Sequence, residues 1–115
     1  MATEAQLDES TVFYGSGNVF ADLGLPNPEE RLAKASLASA IQDAIELRGL
    51  NEIDAAKIMG IDQPAVSKIV RGRLAEFSTE RLLSYLIHLG LDVDIIIHKQ
   101  APQSQREGTI SVGYA

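Results

Sequence analysis

The sequence predicts a mainly α domain: a compact bundle of four to five short helices followed by a C-terminal β-strand or hairpin. Three observations carry that expectation. Between Pro28 and Gly90, apolar residues recur at spacings of three and four, the period of one helix face. These runs open on residues that cap helices and close on glycines that end them. Beyond Gly90 the period shortens to two, as in a strand. A chain of 115 residues holds one modest core, so one domain is expected. Within it, residues 1–17 read as a flexible tail, 18–90 as the helical domain with an N-terminal arm, and 91–115 as the strand or hairpin.

Residues 1–18 show little periodicity, and Gly15, Ser16, Gly17 and Asn18 form a flexible or turning stretch. The following NVFADLGLPNPEE reads as a short arm with Val19, Phe20, Leu23 and Leu25 as apolar anchors. Asn27 can cap the first long helix, Pro28 suits its first position, and Glu29 and Glu30 complement its dipole. Leu37, Ile41, Ala44 and Ile45 extend its apolar face, and Arg48-Gly49 ends it, in one piece or two. Asn51 caps a second helix that stops at Gly60. Asp62 caps a third that runs through Val66, Ile69 and Val70 to Gly72. Ser78 or Thr79 caps a fourth, with Leu82, Leu83, Leu86 and Leu89 facing inward and Gly90 at its end. DVDIIIHK, residues 92–99, then reads as a strand with Val93, Ile95 and Ile97 on one face, and TISVGY at 109–114 as its loose hairpin partner. A two-stranded hairpin is marginal alone. Pairing between two chains through Val93, Ile95, Ile96 and Ile97 would satisfy the edge and bury Ile96, so homodimerisation is expected there.

Composition narrows the function classes. Cysteine is absent, which excludes disulfides, thiolate metal sites and cysteine nucleophiles and suits the cytoplasm. No apolar run approaches the ~20 residues that span a bilayer, and the acidic start (Glu4, Asp8, Glu9) is unlike a signal peptide. The net charge of −6 argues against a general nucleic-acid coat. Its distribution is uneven: residues 1–30 carry six acids and no Lys or Arg, whereas residues 57–73 carry Lys57, Lys68, Arg71 and Arg73 against Asp62 alone. A local basic patch on an acidic body can still dock on DNA.

The patch falls on a recognisable constellation. Two short helices at a steep angle need a small residue where they approach and an unhindered residue in the turn. Ala56 supplies the first and Gly60 the second. Ile61, Val66 and Ile69 then bury one face of the second helix against Met59. The outward stripe holds Gln63, Ser67, Lys68 and Arg71. Gln63 can pair bidentately with adenine, Ser67 can meet a base edge or phosphate, and Lys68 and Arg71 can meet guanine or backbone. Arg73, past Gly72, suits phosphate, and the first-turn amides of both helices add electropositive ends. Such charges more often form only a solvated face, and any one of them can be idle.

The run EIDAAKIMGIDQPAVSKIVRG resembles the helix-turn-helix of the XRE (Cro/CI-like) regulators, with alanine, glycine four residues on, then Q-x-x-x-S. That likeness implies a lambda-repressor-like fold and double-stranded DNA as partner. Gln63, Pro64, Ser67, Lys68, Arg71, Arg73 and Asn51 are then the DNA-binding positions. With NVFADLGLPNPEE, KASLASAI, RGL and FSTERLLSYLIHLGLDVDI, the resemblance narrows to the HigA-like antitoxins over about residues 18–98. It implies repression of the chain's own operon from a palindromic site and a RelE-like ribonuclease toxin as partner. One departure stands out: the family commonly has Thr-Gln where this chain has Asn51-Glu52. Glu52 cannot donate to phosphate and is repelled by it, which implies weaker affinity or a shifted docking angle.

Other chemistry finds no foothold. His88 and His98 lie ten residues apart without cysteine or an H-x-x-H pattern, so neither metal nor cofactor is expected. Asp92 and Asp94 share a strand face, most simply toward water. Ser36, Ser39, Ser67 and Ser84 lack a G-x-S-x-G context, and no glycine-rich phosphate loop occurs. A non-enzyme is expected. The arm around Phe20 and Leu23 keeps two readings: a patch over the helical core, or a segment that orders on a basic partner protein.

Overall fold

A computed structural model describes residues 18–113 of the chain. Five helices follow in order among the described residues: α1 (Val19–Asp22), α2 (Pro28–Leu47), α3 (Glu52–Met59), α4 (Gln63–Val70) and α5 (Thr79–His88). The flexible tail expected over residues 1–17 lies outside the described residues, as do residues 114 and 115. The chain divides into two units, Met1–Leu32 and Ala33–Ala115.

In the first unit, Asn18 organises the arm rather than belonging to a loose stretch. Its Oδ1 accepts from Phe20 N at 2.9 Å and Ala21 N at 3.3 Å, which caps α1, while its Nδ2 donates to Pro28 O at 3.0 Å. Four bonding groups on a short side chain let one asparagine serve both ends. Arg31 Nε also returns to Pro26 O at 2.7 Å. Of the apolar anchors expected here, Phe20 is half-buried, whereas Val19, Leu23 and Leu25 are exposed at 53%, 69% and 38%. Pro28 opens α2 as anticipated. Asn27 takes part through its carbonyl, which accepts from Arg31 N, and its φ of 51° is one asparagine tolerates.

The second unit is built on the apolar periodicity. Ile41 of α2, Met59 of α3, Val66 and Ile69 of α4 and Leu82 of α5 are its largest fully buried side chains. Leu37, Ala38, Ala44, Ile45, Ala55, Ala56, Phe77, Tyr85, Leu86 and Leu89 complete the same cluster. α2 is one continuous helix of 20 residues rather than two pieces. It ends where Gly49 adopts φ 65° and Leu50 N reaches back to Ile45 O. This glycine-terminated geometry satisfies otherwise orphaned carbonyls. Ser78 caps α5 by accepting from Arg81 N at 3.1 Å. α3 packs on both α4 and α5. Two polar ties reinforce the bundle: Arg48 Nη1 donates to Leu89 O at 3.2 Å, and His88 Nδ1 stands 3.3 Å from Met59 O. His88 therefore closes the end of α5. Leu83, expected inside, is only half-buried.

The C-terminal strand and hairpin are corrected by the structure. Residues 91–113 form no strand. A turn closes at Ser104 N to Ala101 O, 2.9 Å, but the segments beside it do not pair. The expected partner segment carries β-branched Thr109, Ile110 and Val112, but Val112 is drawn to the helical core rather than into a ladder. Val93 and Val112 are half-buried against the helical core, whereas Ile95, Ile96 and Ile97 are exposed at 74%, 74% and 90%. No helix among the described residues is long and apolar enough to cross a membrane.

Candidate nucleic-acid interface

The centre of the site is the corner between α3 and α4. Asn51 caps α3 by accepting from Asp54 N at 2.8 Å, and Asp62 caps α4 by accepting from Ala65 N at 2.9 Å. Between them Ala56, 5% exposed, lies where the helices meet, and its carbonyl accepts both Gly60 N at 2.8 Å and Ile61 N at 3.0 Å. Gly60 turns the chain at φ 76°, ψ 30°. A Cβ there would meet nothing within 4 Å. Glycine is thus needed for its left-handed backbone, not for space.

α4 is consequently held by one face and free on the other. Val66 and Ile69 are fully buried and Ile61 is half-buried. On the outer side Gln63, Pro64 and Arg71 are exposed, and Ser67 and Lys68 are half-exposed. Asn51 and Arg73 are exposed at the start of α3 and beyond α4. Arg71 Nη1 donates to Ser67 Oγ and, at 3.4 Å, to Ser67 O, which joins two of the expected contacts. Glycine again terminates the helix, with Gly72 at φ 77° and Arg73 N donating to Lys68 O at 2.8 Å.

Comparison with known proteins agrees with this corner. A family model described as a helix-turn-helix domain matches residues 19–98. A solved structure provisionally named an XRE family transcriptional regulator is 41% identical, superposes with a TM-score of 0.70, and is matched over 78% of this chain and 100% of its own. The chain belongs to the XRE-type helix-turn-helix family. No curated protein matches.

In this XRE-type domain the helix ends offer fewer free amides than helix geometry alone suggests. At α4, Ala65 N is taken by Asp62 and Pro64 has no N–H, which leaves Gln63 N as the first-turn donor. At α3, Asp54 N is taken by Asn51, which leaves Glu52 N and Ile53 N. Two acids join the recognition-helix side chains. Gln63 Nε2 donates to Glu52 Oε1 at 2.8 Å, and Lys68 Nζ pairs with Glu76 Oε2 at 2.8 Å. Glu52 stood out in the sequence as a departure. Glu76 did not, because it reaches Lys68 across the turn after α4 rather than along a helix face.

Proposed function

We propose that this XRE-type protein is a sequence-specific DNA-binding transcriptional repressor that acts as a homodimer on a palindromic operator. The observation that supports it most is the division of α4. Val66 and Ile69 lock one face into the core, and Gln63, Ser67, Lys68 and Arg71 present bidentate and cationic groups on the other. A helix fixed in this way can enter a major groove with its N-terminal residues at the base edges. Gln63 and Ser67 read sequence, Lys68 reads a base or the backbone, and Arg71, Arg73 and Asn51 hold phosphates. Dimerisation through the exposed Ile95, Ile96 and Ile97, with Val93 kept in the core, would set two such helices about 34 Å apart, one turn of duplex. The decisive experiment is fluorescence anisotropy on the DNA upstream of the chain's own gene, against a scrambled duplex, at two salt concentrations. Binding is expected to be selective and weakened by salt. Gln63→Ala should relax the preference, whereas Arg73→Ala should weaken both duplexes alike. Indifference of binding to both changes would remove α4 from the interface.

A second reading adds the HigA-like role: the repressor doubles as an antitoxin that covers a RelE-like ribonuclease. The arm supports it, because Val19, Leu23 and Leu25 are exposed on a segment with Asp22, Glu29 and Glu30 and no basic residue before Arg31. An acidic, apolar arm complements the basic surface an RNA-cutting enzyme presents. A small basic reading frame beside the gene, whose product co-purifies with this chain and loses toxicity, would establish the role. A gene without such a neighbour points to a stand-alone regulator.

A further inference from the structure

Several of the side chains assigned to DNA are already engaged within the chain, Gln63 and Lys68 by carboxylates. Glu52, the first residue of α3, accepts from Gln63, the first residue of α4, and Glu76 beyond α4 pairs with Lys68. Resting on the DNA-binding reading, we propose that Glu52 and Glu76 set specificity by holding the recognition helix in a partly neutralised state, so that random duplex binds poorly.

The two acids act differently. Glu52 is an acceptor only, so Gln63 must turn its amide nitrogen toward it. That fixes which end of the Gln63 amide is carbonyl and which is donor. The carbonyl and the second N–H stay available, which is the pair that a bidentate contact to adenine requires. Glu52 is therefore a positioning residue for base reading, and its charge at the mouth of the groove also opposes phosphate. Glu76 supplies no such order. It holds Lys68 in a surface pair, with the two side chains 41% and 65% exposed. A pair of that exposure is weak and exchanges readily for a phosphate placed correctly. On random DNA, where the phosphates are not in register, the exchange gains little. Among the described residues, Arg71 and Arg73 have no carboxylate hydrogen bond at this surface, and they are enough to orient the helix but few for a sequence-independent grip.

The test measures affinity of the full-length chain for its upstream duplex and for a scrambled duplex, by anisotropy across a salt series. Wild type is compared with Glu52→Gln, Glu52→Ala, Glu76→Gln and Arg73→Ala, after thermal melts show that each is folded. Glu76→Gln should raise scrambled-duplex affinity about two- to fivefold near 0.1 M salt. It should also steepen the salt dependence by about 0.9 in log–log slope as Lys68 gains a phosphate. Glu52→Gln loses the charge and brings a donor as well as an acceptor, so Gln63 is no longer held in one amide orientation: both duplexes should bind more tightly, with preference reduced less than in Glu52→Ala. Glu52→Ala should gain affinity and lose preference. If wild type binds and Arg73→Ala weakens it, but the Glu variants leave scrambled-duplex affinity unchanged or lowered, the acidic restraint is refuted and the DNA reading stands. If no variant binds any duplex, both fall. Binding that emerges only in the Glu variants supports the restraint directly.

Discussion

Replacing Gly60 with Ala isolates one physical quantity. At φ 76°, ψ 30° the residue lies in the left-handed region, and an added Cβ meets no heavy atom within 4 Å. Steric repair therefore contributes nothing, and the cost is that of the backbone conformation alone, about 1–2 kcal/mol for an L-residue with a side chain. Asparagine, whose short polar side chain tolerates this region, should recover part of it. In urea denaturation followed by circular dichroism, Gly60→Ala should lower the midpoint with m unchanged. The equivalent fall in Tm is roughly 4–8 °C per kcal/mol for a domain of this size. Gly60→Asn should lie between Ala and wild type. A loss above about 3 kcal/mol with Asn no better would mean a clash, and the open space around Gly60 would be wrong. No loss at all would mean that the turn does not need a left-handed residue.

Three further outcomes follow from the same geometry. Ser78→Ala removes the acceptor for Arg81 N and should cost about 1 kcal/mol in urea denaturation, with no effect on DNA; an equal loss of DNA affinity would place α5 at the interface. The Tyr85 hydroxyl is buried without a hydrogen-bond partner among the described residues, so Tyr85→Phe should leave thermal stability unchanged or raise it by up to ~1 kcal/mol, and a loss of that size would reveal a bond to the hydroxyl. Serine at Ile95, Ile96 and Ile97 together should leave the circular-dichroism melt of the helical core intact, because these side chains are at least 74% exposed. By sedimentation the same variant should be monomeric; persistence of a dimer would place the contact elsewhere.

The helical core was legible because each boundary is written locally. Asn51, Asp62 and Ser78 cap helices where their short acceptors precede apolar runs, and Gly49, Gly60, Gly72 and Gly90 end them. Burial of Ile41, Val66, Ile69 and Leu82 followed from helical spacing. The strand was misread because its outcome is decided by a partner distant in sequence. Alternation in DVDIIIHK permits a strand, but a ladder needs a second edge, and the segment after Ala101 does not provide it. Phe77 and Tyr85 were not named as core; Tyr85 falls on the same spacing as Leu82 and Leu89, and its ring meets that of Phe77, centroids 6.4 Å apart, with the Arg81 guanidinium 5.2 Å from the Phe77 ring and 5.9 Å from the Tyr85 ring. The site, like the strand, depends on distant partners. The recognition stripe on α4 is a periodicity, whereas the Gln63–Glu52 and Lys68–Glu76 bonds join residues with no periodic relation.

These bonds bear on how an acidic protein could repress at all. The net charge is −6, and the patch from 57 to 73 holds four cations, one of which is already paired with Glu76. Counterion release from so few contacts gives a shallow salt dependence and a weak hold on random sequence. Operator affinity would then have to come from two other sources: base contacts that Gln63 makes only in register, and a second recognition helix brought to the next groove by a joined subunit. The second source is a matter of effective concentration, which a short linkage raises into the millimolar range without any new contact to DNA. In the proposed dimer the exposed isoleucines and the paired acids therefore serve one end. The acids lower the affinity of a single helix for any duplex, and the joined chain restores it only where two half-sites have the right spacing. A monomeric tail variant should accordingly lose far more affinity for the operator than for scrambled DNA, narrowing the ratio between them.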